Sequence, residues 1–319
     1  MLKTNQPAIG TANGKIILMG EHSVVYGEPA IAIPFPATHI QVTITPAEGP
    51  VQLNCVYYQG NLTSAPKHLE NLRAVVESTV SELNQELNDF QLTIESTIPV
   101  ERGMGSSAAV AIAMVRALFA YFSAPLTDDT LLTLANISET IAHGNPSGLD
   151  AAMTSGRHPL YYVKGEPFIP FPLSMPAYLI VADTGLKGQT KDAVASIAQL
   201  NTEKPEKTMG AIHELGNLTR QAKLAIETTN PVTLGLAMNA AHETLSSLGV
   251  SNEPLNHLVN TARANGALGA KLTGGGRGGC MIALAADKDT AACISDALLN
   301  AGAVNTWTHQ LGDEEVEQC

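Results

Sequence analysis

Four stretches of the chain carry residue types and spacings suited to chemistry on an anionic ligand. In Pro99-Val-Glu-Arg-Gly-Met-Gly-Ser-Ser-Ala-Ala109, Gly103 and Gly105 let the backbone turn sharply and approach a ligand with no Cβ in the way. Ser106 and Ser107 fall where the first unpaired N–H groups of the following helix point outward. A helix start of that kind favours an anion through its free donors and its dipole. The segment lacks the Gly-Lys-Ser/Thr ending of a Walker A loop. The same residues also suit a plain strand-to-helix connection with a serine cap, so alone they leave both readings open.

In Gly14-Lys-Ile-Ile-Leu-Met-Gly-Glu-His-Ser-Val-Val-Tyr-Gly27, Lys15 opens a strand, and Glu21 and His22 occupy the turn after it. A lysine at a strand start is ordinarily a solvated edge charge. Its company here strengthens a functional reading, because loop residues on a rigid scaffold are the usual carriers of chemistry. Lys271-Leu-Thr-Gly-Gly-Gly-Arg-Gly-Gly-Cys280 holds five glycines in six positions, which fits either close backbone packing or a hinge. Finally, Glu139 falls near a helix end and Asp150 in or just after the loop that begins at His143. Such a pair can divide its work, one carboxylate holding Mg²⁺ and the other taking a proton, or can be two surface acids. His143 stands four residues after Glu139, yet no further His or Cys nearby completes a transition-metal site.

Apolar alternation predicts strands over 15–19, 40–44, 51–56 and 90–94. Helical spacing predicts helices over 69–87, 108–122 and 127–143, the last started by Thr127 with Asp128 and Asp129. Residues 159–163 and 168–173 read as a hairpin, and 178–183 as a strand opening a second half. That half is expected to hold helices near 190–201, 208–228, 231–247, 251–266 and 288–301, and a strand at 280–285. The expected domains are 1–174 and 175–319.

The chain has 319 residues, 45% of them apolar, which describes a globular protein with a real core. Eighteen basic against thirty acidic residues leave a net charge of −12, with no overall basic footprint for nucleic acid or anionic lipid. An anionic ligand must then be held by local backbone dipoles and a few placed cations. The cysteines Cys55, Cys280, Cys293 and Cys319 show no paired or metal-like spacing, which suggests reduced thiols. The N-terminal stretch lacks an apolar core for secretion, and the greasy run 108–122 is too short to span a bilayer and contains Arg116. A cytoplasmic protein is expected, with no membrane and no nucleic acid among its partners.

Taken in order, Lys15…Gly-Glu-His-Ser-Val-Val-Tyr-Gly27, then Pro99 through Gly-Met-Gly-Ser-Ser-Ala-Ala109, then Lys271-Leu-Thr-Gly-Gly-Gly-Arg-Gly-Gly279 resemble the three signature segments of the GHMP kinase superfamily, spread across almost the whole chain. Within it, Gly20-Glu-His-Ser-Val-Val-Tyr-Gly and His143-Gly-Asn-Pro-Ser-Gly-Leu-Asp150 look like the mevalonate kinases rather than the galactokinases. The resemblance implies an α+β, two-domain GHMP kinase fold, its N-terminal domain like ribosomal protein S5 domain 2 and its C-terminal domain ferredoxin-like. It implies ATP and Mg²⁺ as cofactors, mevalonate as substrate and a homodimer as assembly.

Residue by residue, it implies Asp150 as catalytic base and Lys15 as the lysine contacting that base and the reacting hydroxyl. Ser107 and Glu139 match the Mg²⁺ ligands. Glu101, Arg102, Gly103, Met104, Gly105, Ser106 and Ser107 match the phosphate loop. Glu21, His22 and Thr190 match the mevalonate pocket, together with Lys15 and Asp150. Three departures stand out: Thr11-Ala-Asn-Gly-Lys15 where Ser-Ala-Pro-Gly-Lys is common, Glu101 and Met104 where Gly and Leu are common, and Arg277 inside the glycine series. Arg277 either adds a phosphate contact or faces water, with water favoured. Competing readings are a phosphomevalonate kinase, a sugar kinase and a non-catalytic sensor on the same scaffold.

Overall fold

The structure, a computed structural model, describes residues 6–143, 148–156 and 158–312. The side chain of His143, the loop residues 144–147 and Cys319 lie outside that description. By its contacts the chain forms two compact units. One comprises Met1–Lys15, Pro34–Pro99 and Gly105–Arg157; the other comprises Ile16–Ile33, Val100–Met104 and His158–Cys319. The domains expected from sequence, 1–174 and 175–319, remain a proposal. The contact units are a different partition, interleaved along the chain.

The first unit contains most of β1 (Ala8–Met19) and β2 (Ala30–Pro50), then β3 (Gln52–Cys55), β4 (Tyr58–Asn61), α1 (Glu70–Glu82), β5 (Asn88–Ser96), α2 (Ser106–Tyr121), α3 (Asp128–His143) and α4 (Leu149–Ser155). The strand order is β4-β3-β5-β2, with β1 also pairing β2. β3 runs parallel to β5, whereas β2–β5 and β3–β4 are antiparallel. α2 is apolar on nearly every side and buried along most of its length, the pattern of a helix inside a core. Gly10 of β1 lies against the α2 backbone at Ala113 and Ala117, closer than any side chain would allow. Small residues on both elements thus bring β1, and Lys15 near its middle, directly onto α2.

The second unit contains the remainders of β1 and β2, then β6 (Leu160–Tyr162), β7 (Ile169–Pro170), β8 (Ala177–Asp183), α5 (Thr190–Glu203), α6 (Pro205–Glu227), α7 (Pro231–Ser247), α8 (Glu253–Ala264), β9 (Gly269–Leu272), β10 (Cys280–Ala285), α9 (Lys288–Asn300) and β11 (Asn305–Leu311). Its antiparallel sheet runs β11-β8-β10-β9, and every residue of β10 is buried. β9 is an edge strand whose free side is closed by helical side chains. Asn239 Oδ1 accepts from the Ala270 N–H at 2.9 Å, His242 Nδ1 accepts from the Leu272 N–H at 3.3 Å, and Arg263 donates to the Ala270 carbonyl at 3.0 Å. An unpaired edge is thereby blunted.

The α+β expectation holds, and the helices α2, α3, α5, α7 and α9 fall within a few residues of their predicted spans. α1 is shorter than predicted because Asn84, at φ 52°, leaves the helix in the left-handed conformation although Leu87 continues the apolar spacing. β2 is much longer than 40–44. Pro34 and Pro36 hide it in sequence but fall between the stretches paired by β6 (30–32) and by β5 (40–50). β9 and β11 were not predicted at all.

Candidate active site

The first unit gathers Lys15, Gly105 and Asp150. Lys15 is 5% exposed, and its Nζ lies 2.9 Å from Asp150 Oδ1, an ion pair between β1 and the first turn of α4. The lysine stem packs on Gly105: a Cβ there would meet Lys15 Cγ at 2.8 Å and Thr154 Cγ2 at 3.2 Å. Gly105 is the N-cap of α2 at φ 75°, a left-handed conformation that glycine adopts without strain. No side chain caps this helix, so its opening N–H groups remain available to an anion. Ser107 Oγ is buried with no hydrogen-bond partner among the described residues. Glu139, on α3, is 4% exposed. A hydroxyl and a carboxylate are hard oxygen donors, the set that Mg²⁺ takes, and the buried hydroxyl of Ser107 fits such a role.

Arg116, which entered the sequence analysis only as a charge within a greasy run, braces this arrangement. From α2 it donates 2.7 Å hydrogen bonds to the Thr11 carbonyl on β1 and to the Ser155 carbonyl ending α4. It thus ties together the two elements that carry Lys15 and Asp150.

The second unit gathers the remaining sequence-predicted residues around the glycine run 274–279. Glu21 is buried and paired with Lys271, which is itself fully buried and also donates to the Leu272 carbonyl at 2.8 Å. Burial pushes the Lys271 ammonium below its usual range, opposed by the Glu21 charge. His22 Nε2 lies 3.1 Å from the Gly275 carbonyl, so that nitrogen carries the proton and donates. Burial holds the His22 pKa down to about 4, with Lys271 and Arg277 adding to the effect against the Gly275 bond. Thr190, at the start of α5, sits so close to Gly275 that no side chain fits there. Glu21, His22 and Thr190 therefore do come together, through Lys271 and Gly275.

Within the loop 101–104 the roles differ from residue to residue. Met104 is 1% exposed with its Sδ 3.8 Å from Cys280 Sγ, so its side chain belongs to the core. Gly103, at φ 81°, packs on Gly274. Glu101 is left-handed at φ 59°, accepts from the Gly188 N–H at 2.9 Å through its carbonyl, and pairs with Lys187 at 2.5 Å. The Arg102 guanidinium is engaged by Asp183. Arg277, favoured as facing water, instead donates to the Gly249 carbonyl at 3.0 Å and to Ser196 Oγ at 2.7 Å. Its backbone is left-handed, at φ 55°. Sequence reasoning missed Lys271 and Arg116 as structural cations; Lys271 heads the third glycine segment, whereas nothing in the local pattern around Arg116 marks it.

Two family descriptions match the chain: GHMP kinases N terminal domain over residues 71–157 and GHMP kinases C terminal over 222–304. A mevalonate kinase from Thermococcus onnurineus (strain NA1) is 34% identical, with 96% of each chain covered. The crystal structure of mevalonate kinase from methicillin-resistant Staphylococcus aureus MRSA252 is 37% identical at a TM-score of 0.76, covering 96% of this chain and 99% of that one. The crystal structure of the L. major mevalonate kinase in complex with R-mevalonate is 27% identical at a TM-score of 0.81, with 97% of each chain covered.

Proposed function

From the premise that this chain belongs to the mevalonate kinase family of GHMP kinases, we propose that Lys15 and Asp150 carry its chemistry. The function is transfer of the γ-phosphoryl group of ATP to the 5-hydroxyl of mevalonate, giving 5-phosphomevalonate and ADP. The observation that supports the residue assignment best is the buried Lys15 ammonium 2.9 Å from Asp150, its stem lying on the glycine that opens α2.

In-line phosphoryl transfer asks for positioning and charge stabilisation more than for covalent chemistry. Asp150 accepts the proton of the substrate hydroxyl. Lys15 fixes that carboxylate by the ion pair and steadies the negative charge that develops on the attacking oxygen. The N–H groups of the glycine–serine turn 103–107 receive the ATP phosphates. Ser107 and Glu139 would hold Mg²⁺, whose charge, when bound, neutralises that of the phosphate oxygens. On the acceptor side, the Glu21 carboxylate is already engaged by Lys271, which leaves His22 and Thr190 with polar atoms to offer mevalonate. A homodimer in the cytoplasm belongs to the same proposal. Among the described residues, no helix is long and apolar enough to cross a membrane.

The test is ADP release by purified protein with Mg²⁺-ATP and, separately, mevalonate, 5-phosphomevalonate, homoserine or galactose. Release is expected with mevalonate. Release with 5-phosphomevalonate alone would move the assignment to the next kinase, and silence with all four would favour the sensor.

A further inference from the structure

Arg102 precedes Gly103 in the phosphate turn, where the simplest role for a guanidinium is to touch phosphate. Three of its five N–H donors are committed elsewhere, one from each nitrogen. Nε donates to Asp183 Oδ1 at 2.8 Å, Nη2 to the Gly185 carbonyl at 2.9 Å and Nη1 to the Val100 carbonyl at 3.3 Å. Asp183 ends β8, a strand paired on both sides in the four-stranded sheet, and only 6% of its side chain is exposed. The same Oδ1 also accepts from the Gly185 N–H at 2.8 Å. The segment so held includes Glu101 and Gly103, both left-handed, a path that Glu101 does not favour by itself.

We infer that Arg102 and Asp183 are a positioning pair for the phosphate turn: the guanidinium serves ATP by fixing the backbone of residues 100–104 to β8, and not by contacting phosphate. The inference rests on the proposed role of the turn as phosphate site. Two physical consequences separate it from direct contact. First, a lysine binds phosphate well as a point charge but cannot fork to a carboxylate and two carbonyls at once. Second, Asp183 is an anion beside an anion-binding turn. On electrostatics alone, neutralising it helps ATP, whereas a positioning role makes the same change harmful.

Steady-state kinetics on Arg102→Lys, Asp183→Asn and the double variant, with thermal melts of each, decide the matter. Wild-type protein is assayed first with ATP and mevalonate, so that loss of the kinase assignment itself is seen before any variant is read. The expected result is a rise of about tenfold or more in KM for ATP in both single variants, with KM for mevalonate little changed. The double variant is expected to be no worse than the poorer single one, because both lesions break one unit. Asp183→Asn keeps the volume of the side chain and an acceptor for the Gly185 N–H but loses the charge-assisted bond to Arg102, and its melting temperature is expected to stay near that of the wild type. An unchanged or lowered KM for ATP in Asp183→Asn overturns the inference. So does wild-type ATP affinity in Arg102→Lys, which would show charge alone to suffice.

Discussion

Lys15 uses its two ends differently, the stem lying on Gly105 and the ammonium on Asp150, so one side chain joins the start of α2 to the start of α4. If Asp150 is the base, Asp150→Asn removes the proton acceptor while keeping its shape. We expect kcat to fall about 10²–10⁴-fold with KM for mevalonate little changed. Turnover close to wild type would remove Asp150 from that role. These residues were legible in sequence only because they sit in long signature segments. Taken singly, Lys15 read as an edge charge. The pairs that hold the second unit together were not legible. Arg102 and Asp183 are 81 positions apart, and Lys271 and Glu21 are 250 apart. Local spacing contains no information about which distant carboxylate a cation will meet.

Elements whose character comes from their own periodicity were the readable ones: α2, α5 and α7 owe their limits to apolar spacing, and α7 to Asn230 capping the Thr233 N–H as well. β9 and β11 were not readable, because four or seven residues of mixed polarity become strands only when β10 and β8 supply their partners. Close backbone contacts were equally silent, since a glycine looks the same in a turn and under a helix. Gly10 and Gly210 show the difference. Gly10→Val drives a side chain into the α2 backbone and is expected to cost about 1–3 kcal/mol in chemical denaturation. Gly210, exposed within α6, has nothing within 4 Å of a new Cβ, and Gly210→Ala is expected to stabilise by about 0.5–1 kcal/mol. Equal effects at the two positions would contradict this reading of the β1–α2 contact.

Across the whole molecule, two buried histidines set a limit toward acid. Burial holds His22 and His242 neutral with pKa values of about 4; Arg263 adds to the effect at His242, as Lys271 and Arg277 do at His22. In the unfolded chain each titrates near 6.5, so between about 6.5 and 4 the unfolded state binds more protons than the folded one. Their contribution is complete above that window and is lost as pH falls through it, by up to a few kcal/mol each. Melting temperatures are therefore expected to decline steadily from pH 7 to 4.5. A flat profile to pH 5 in His22→Gln and in wild type alike would show that His22 adds nothing to the decline. The interleaving of the two units bears on synthesis. Ile16, Leu18 and Met19 are fully buried in the finished protein, and neighbouring Glu21 meets its lysine 250 residues later. At about 5–20 residues per second, a ribosome takes roughly 12–50 s to make that partner. For all of that time the Glu21 carboxylate stands without its counter-charge, even though β2, the strand that pairs β1, follows it closely out of the ribosome.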